Sequence, residues 1–292
     1  MSKKIYSVLL GLAVLFSLNI SFASEKSAQQ IIEESSKKSV EKAKENVERV
    51  IKKAVDVVAK TQQVLILLAH NKDKEALKLL EEVKKEMAEL DKEYRGKLTR
   101  LPVDVTITDI SGVNDIEKAK EIAKQVREAI NKNDFVTARA LLEVLKDEID
   151  IQTAYLPIAL YKQSVDLAYR LLKEGKKEAA VSALQVALGT IEVETTIIPK
   201  PIAEAQILIQ EAKKAYQVDK DKALKLLKQA KYDIQLAKVL GYVPSDKEIK
   251  PLIDEIEKLE KAIKENSKST EAKFKHLFES IDKAVKGYTQ TK

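Results

Sequence analysis

The sequence predicts a mostly α-helical protein built from stacked antiparallel helical hairpins, a bundle or short solenoid, with room for a minor two-stranded β element. Three observations predict it. Gly and Pro are scarce, at 7 and 6 of 292 residues, and 34% of the chain is charged with both signs interleaved, as on solvated helix surfaces. One pattern returns four times, as "NKDKEALKLLEEVKKEM", "NKNDFVTARALLEVLKDEI", "GKKEAAVSALQVALGTI" and "VDKDKALKLLKQAKYDI". Prolines punctuate the copies: Pro102, Pro157, Pro199 and Pro244 each follow Leu, Ile or Val, and proline stops the helix before it.

In chain order, residues 1–23 read as a signal peptide. Lys3 and Lys4 precede an apolar run from Ile5 to Phe16, and Ser21 and Ala23 suit a cut after Ala23. The run is shorter than the ~20 residues that span a bilayer, and an uncleaved anchor is the alternative. Cleavage removes two lysines and no acid, so net charge falls from +6 to +4. The expectation is a periplasmic or secreted protein, with no later membrane span. No Cys is present to form a disulfide, so packing must supply the stability.

Residues 24–96 form an N-terminal helical region. One long polar helix is expected over 24–70, its apolar stripe strengthening through Val47, Ile51, Ala54, Val58 and Leu68. The repeats follow, with Leu80, Leu142, Leu184 and Leu227 as reference points, 62, 42 and 43 residues apart. Ala76, Ala138, Ala180 and Ala223 lie four residues before them. Val83, Leu145, Ala187 and Ala230 lie three after, and Met87, Ile149, Ile191 and Ile234 seven after. Steps of four, three and four fall on one helix stripe. Asn71, Asn133 and Gly175 sit where a left-handed turn between two helices is needed, with Asp219 one residue out of register. The first helices bury Ile122, Val126 and Ile130, then Val165, Ala168 and Leu172, then Ala205, Leu208, Ala212 and Ala215. Self-similarity at this period marks repeated helical hairpins.

Two linkers read as extended. "LPVDVTITDI" alternates with period two and "VETTIIP" at 193–199 is rich in β-branched residues. They either pair as two strands or lie across helix ends. Residues 246–292 form a C-terminal hairpin. Ser245 and Glu248 spell a capping box, and Ile249, Leu252, Ile256, Leu259 and Ile263 make a short heptad seam, followed by Phe274, Phe278, Ile281 and Val285. This hairpin either folds back on the body or joins a second subunit as a homo-oligomer.

Chemistry is sparse. His70 and His276 lack the second ligand that a zinc site needs, no Gly-x-Ser-x-Gly elbow or phosphate loop exists, and a Cys nucleophile is impossible. No catalytic residue, metal or cofactor is expected, and the basic residues form no block suited to nucleic acid. Glu192 and Glu194, two apart, would share a strand face; paired carboxylates serve acid–base work or calcium, or simply a solvated edge. Tyr155 and Tyr161 flank Pro157, while Tyr232 and Tyr242 precede Pro244. If the proline linkers gather, these rings line a groove for a peptide or small ligand; otherwise they cap the core.

The order of "LPVDV" at 101–105, "AINKNDFVTARALLEVL", "TAYLPIALYKQSVDLAYRLLKEGKKEAA", "IIPKPIAEAQILI" and "AKVLGY" resembles the YfdX family of bacterial exported proteins over about residues 95–245, so 97–245 is taken as the YfdX-like domain. The resemblance implies a helical periplasmic protein with no established enzymatic activity, a stress association and a suggested chaperone-like role. The functional expectation is a non-enzymatic protein that grips protein or peptide clients in a groove between hairpins; the alternative is a small-molecule binder using the tyrosines.

Overall fold

The computed structural model describes residues 26–45, 47 and 49–291; the signal peptide read over 1–23 lies outside them. The elements are helical pairs, most of them closed by a strand: α1 (Ala28–Glu45); α2 (Lys52–Ala69), α3 (Asp73–Tyr94) and β1 (Arg100–Ile110); α4 (Ile116–Asn131), α5 (Phe135–Val144) and β2 (Glu148–Pro157); α6 (Ile158–Lys173), α7 (Lys177–Gly189) and β3 (Glu192–Pro199); α8 (Lys200–Ala215) and α9 (Lys220–Val239); α10 (Asp246–Lys264), α11 (Thr270–Tyr288) and β4 (Gln290–Thr291).

The turns follow the sequence. Asn71, Asn133 and Gly175 have φ of 58°, 58° and 72°, and Asn266 turns the last hairpin the same way. Asp219 works differently: its carboxylate accepts from Lys222 N at 2.8 Å and caps α9. All four repeat alanines are buried, and so are Leu80, Leu184 and Leu227. Small residues at that position let the paired helix approach closely.

The hairpins pack two by two. α2–α3 and α6–α7 form one bundle around Leu68, Leu80, Met87, Tyr161, Val165 and Leu184. α8–α9 and α10–α11 form a second, joined by α1, around Leu208, Leu227, Ile256, Leu259 and Phe274. The C-terminal seam therefore folds back on the body, and Ile249, Leu252, Ile256, Leu259 and Ile263 are all buried within the chain. Helix α1 closes on α8 through a stripe of Ile31, Ser35, Ser39 and Ala43, four residues apart and all buried.

Five expectations need correction. The 24–70 stretch is two helices, because Ile51 is extended and gives its N–H to Pro102 O of β1 at 2.9 Å. The β element has four antiparallel strands in the order β1-β2-β3-β4. The two linkers read as extended are β1 and β3, yet each pairs with β2 between them, as in Ile107↔Ile151 and Ile151↔Thr196. Ile149 belongs to β2 because α5 stops at Val144. Leu142 and Ile130, expected in the core, are 49% and 44% exposed; α5 turns Ala138, Leu141 and Leu145 inward instead. Finally, Ser245 makes no side-chain bond to the α10 backbone; its hydroxyl lies 3.4 Å from the Glu248 carboxylate.

Candidate functional site

The six residues singled out in the sequence do not line one groove. Three of them meet on the sheet. Tyr155 of β2 pairs in register with Glu192 of β3, and Thr153 with Glu194, so the two glutamates share a face. Arg100, at the start of β1, lies over the Tyr155 ring at 4.0 Å from its centroid. It ion-pairs with Glu194 and, at 3.7 Å, with Glu192. One guanidinium thus ties three strands together, and the carboxylates are engaged in that tie. Tyr161 is fully buried in the first bundle, where burial pushes its phenol up to about 12, eased slightly by the Thr61 hydroxyl.

Tyr232 and Tyr242 share a structural role, which is to anchor the α4–α5 hairpin at its root. The Tyr232 hydroxyl accepts from Ile116 N at 3.0 Å, at the start of α4, and donates to Asn114 O at 3.3 Å. The Tyr242 hydroxyl accepts from Asp147 N at 2.8 Å, just past α5, and donates to Glu148 Oε2 at 2.9 Å. Burial, above all, raises the Tyr242 phenol, and the neighbouring carboxylates add to it.

Beside these tyrosines lies a polar latch that sequence reasoning missed. Lys200 opens α8 and is 3% exposed. Its ammonium donates to Asp109 at 2.8 Å and to the Ser111 hydroxyl at 2.9 Å, and lies 3.4 Å from Asp147. Its backbone N–H goes to Asp147 O at 3.0 Å. Gly112 must be glycine here: a Cβ would sit 2.1 Å from Lys146 O. Its N–H reaches Asp147 Oδ1 at 3.4 Å. Burial lowers the tendency of Lys200 to carry charge, but Asp109 and Asp147 outweigh it and its pKa is raised. Glu204, one helical turn on, is pushed up to about 7 by burial and by the Asp147 carboxylate. Asp233 of α9 is raised well above its ordinary value by burial and by Glu204, with Gln229 donating to it at 2.8 Å. The available signal was local: a lysine between two prolines, in "IIPKPIAEA", with apolar residues on both sides.

Above this root stands the least covered surface of the hairpin. Seven of the ten residues in α5, FVTARALLEV, are apolar. A helix that is apolar nearly all round is normally buried. Here only Ala138 is buried within α5, while Phe135, Val136, Leu142 and Val144 are 63%, 83%, 49% and 47% exposed. Leu141 and Leu145 pack inward on Val126 of α4 and Leu236 of α9. Elsewhere, α1 and α9 bound an open cleft of about 600 Å3 lined by Ile32, Lys225, Gln229 and Tyr232. No cluster of three His, Cys, Asp or Glu side chains suited to a metal occurs among the described residues, and no described helix is long and apolar enough to cross a membrane.

Fold and site together define a class: a mostly helical protein of paired hairpins carrying a small antiparallel sheet, with one hairpin held at a polar root and apolar on its outer face. Residues 57–197, just under half of the chain, match the family model described as YfdX protein. The match runs from within α2 into β3 and has the α4–α5 hairpin near its middle. Among solved structures the chain is similar to Salmonella Typhi YfdX, at 13% identity and a TM-score of 0.35, over 50% of this chain and 90% of that one. No curated protein matches the chain.

Proposed function

We propose that this is a non-enzymatic, exported binding protein that grips apolar segments of other proteins on the α4–α5 hairpin, in a chaperone-like or scaffold role under envelope stress. One observation carries the reading. The repeat position that buries Leu80, Leu184 and Leu227 presents Leu142 to solvent, together with Phe135, Val136 and Val144. Exposed apolar area of this kind, rimmed by charge, marks protein-binding surfaces. Lys132 and Lys146 flank the two ends of the face, and Arg139 and Glu143 lie within it. The root supports it: Tyr232, Tyr242 and the Lys200 latch hold both ends of the hairpin, so the face is presented by a fixed element.

The test is suppression of aggregation by the mature protein with several denatured clients at near-stoichiometric ratio. The Val136→Asp/Leu142→Asp variant should lose suppression while keeping its thermal unfolding midpoint. Suppression that survives in that variant, or that is absent from the wild type, refutes the reading. The cleft beside Tyr232 favours the second reading, a small-molecule binder. A ligand seated there should raise the unfolding temperature of the wild type and not of Tyr232→Ala.

A further inference from the structure

We propose that the outer face of α5 is also the docking surface for a second copy of this chain, α5 against α5 in antiparallel. The inference rests on reading α5 as a binding surface and names one partner for it. There are five hairpins among the described residues, and four are covered in pairs, α2–α3 by α6–α7 and α8–α9 by α10–α11. The α4–α5 hairpin is the odd one. It keeps the left-handed Asn133 turn and the buried Ala138 of the shared design, and its inner side packs on α9 through Leu236, but its outer α5 face, with Phe135, Val136, Leu142 and Val144, stays exposed. The covering element that fits this design best is another hairpin of the same kind.

Charge makes the face complementary to itself. Arg139 and Glu143 are the only charged residues of α5, opposite in sign and one turn apart. At 100° per residue they lie between the Phe135–Leu142 edge and the Val136–Ala140–Val144 edge. In an antiparallel pair crossing at Leu141, residues equidistant from 141 meet. Arg139 of each copy then faces Glu143 of the other, with apolar side chains on both sides. Within one chain Glu143 accepts from Lys146 at 2.7 Å on the surface, a pairing worth little in water. Two crossed ion pairs fix register more than they add affinity. A ten-residue helix is about 15 Å long, so the contact falls short of the ~800 Å2 per partner of a standard interface. The dimer should therefore form reversibly at micromolar chain.

Sedimentation velocity on the mature full chain, from nanomolar to hundreds of micromolar, tests this. The expected result is a monomer–dimer equilibrium that Arg139→Glu and Glu143→Arg each weaken at least tenfold, with unchanged circular dichroism. Mixing the two single variants should restore a dimer containing one of each, since every facing pair is then opposite in sign. A monomer at all concentrations overturns the proposal, as does a dimer indifferent to both substitutions or single variants that fail to rescue each other. A monomer that still suppresses client aggregation through α5 overturns this inference alone. A dimer with the expected rescue but no client activity overturns the functional reading alone.

Discussion

Replacing Lys200 with methionine should test the latch with little change in side-chain volume. The lysine is 3% exposed, and its two acidic partners differ: the Asp109 side chain is 42% exposed, that of Asp147 only 10%. Asp109 can return to water, so its pairing contributes under about 1 kcal/mol. Asp147 cannot. Without Lys200 its carboxylate keeps only the long contact from Gly112 N–H at 3.4 Å. Stranding a buried charge costs roughly 3–5 kcal/mol; that residual contact argues for the lower end, about 3 kcal/mol at alkaline pH. The pH dependence has a definite sign. Burial already raises the Asp147 pKa in the wild type, against the pull of Lys200. In Lys200→Met it rises further, so the folded variant holds a proton that the unfolded chain has released. The stability difference should be small in acid and should grow as pH rises through the folded pKa of Asp147. Urea unfolding followed by far-UV circular dichroism, at about pH 5 and about pH 8, measures it. Adding Asp147→Asn should recover part of the loss. A deficit under about 0.5 kcal/mol at alkaline pH, or one that does not shrink in acid, would refute the assignment of Lys200 as the counter-charge of a buried carboxylate.

Three further outcomes are expected. Glu204 has a folded pKa of about 7 against an ordinary 4.5. Its contribution should be fully present below about pH 4.5 and lost as pH rises through about 7, by roughly 3 kcal/mol. Glu204→Gln should lack that component, and parallel melting-temperature profiles for the two proteins would count against it. Gly112→Ala drives a Cβ to 2.1 Å from a backbone oxygen, so the 111–115 segment must shift away from Lys146. A loss of roughly 1–3 kcal/mol and faster amide exchange at Ile116 are expected, and a neutral result would mean that the segment does not pass so close. Leu184→Ala and Leu227→Ala should each cost roughly 2–5 kcal/mol. Leu142→Ala in dilute protein should stay within about 0.5 kcal/mol of the wild type, and equal losses at all three would return Leu142 to the core.

The helical pairs were legible because a 3.6-residue period and a left-handed turn residue are local signals. Ala76, Ala180 and Ala223, with the leucines four residues on, lie where that pattern puts them. Strand β2 was hidden by the same logic. Leu142, Leu145 and Ile149 continue a three-and-four spacing, so the helix seemed to run on, whereas Ile149, Ile151, Thr153 and Tyr155 are the buried, alternating residues of a central strand. The break at Ile51 depends on a hydrogen bond to Pro102, 51 residues away, which no local pattern encodes. The candidate site divides in the same way. That Glu192 and Glu194 share a face follows from strand geometry. Arg100 as their common partner does not, and neither does Tyr242 reaching Asp147 and Glu148. Lys200 was passed over because a charged residue is surface unless paired, and its partners lie on β1 and ahead of β2. Leu142 shows the limit most plainly, since a repeat predicts which residues are apolar and cannot say which copy lacks a neighbour.

The central claim is that one hairpin of five turns its apolar stripe outward. The chain has no native cysteine, so single-cysteine reporters can be placed without background. Leu142→Cys and Leu184→Cys should be labelled with a thiol reagent at nanomolar protein, where any self-association is absent. The reporter at 142 should react at close to the rate of an unstructured thiol, while the one at 184 waits for the first bundle to open. Equal protection at the two positions in the monomer would contradict the account.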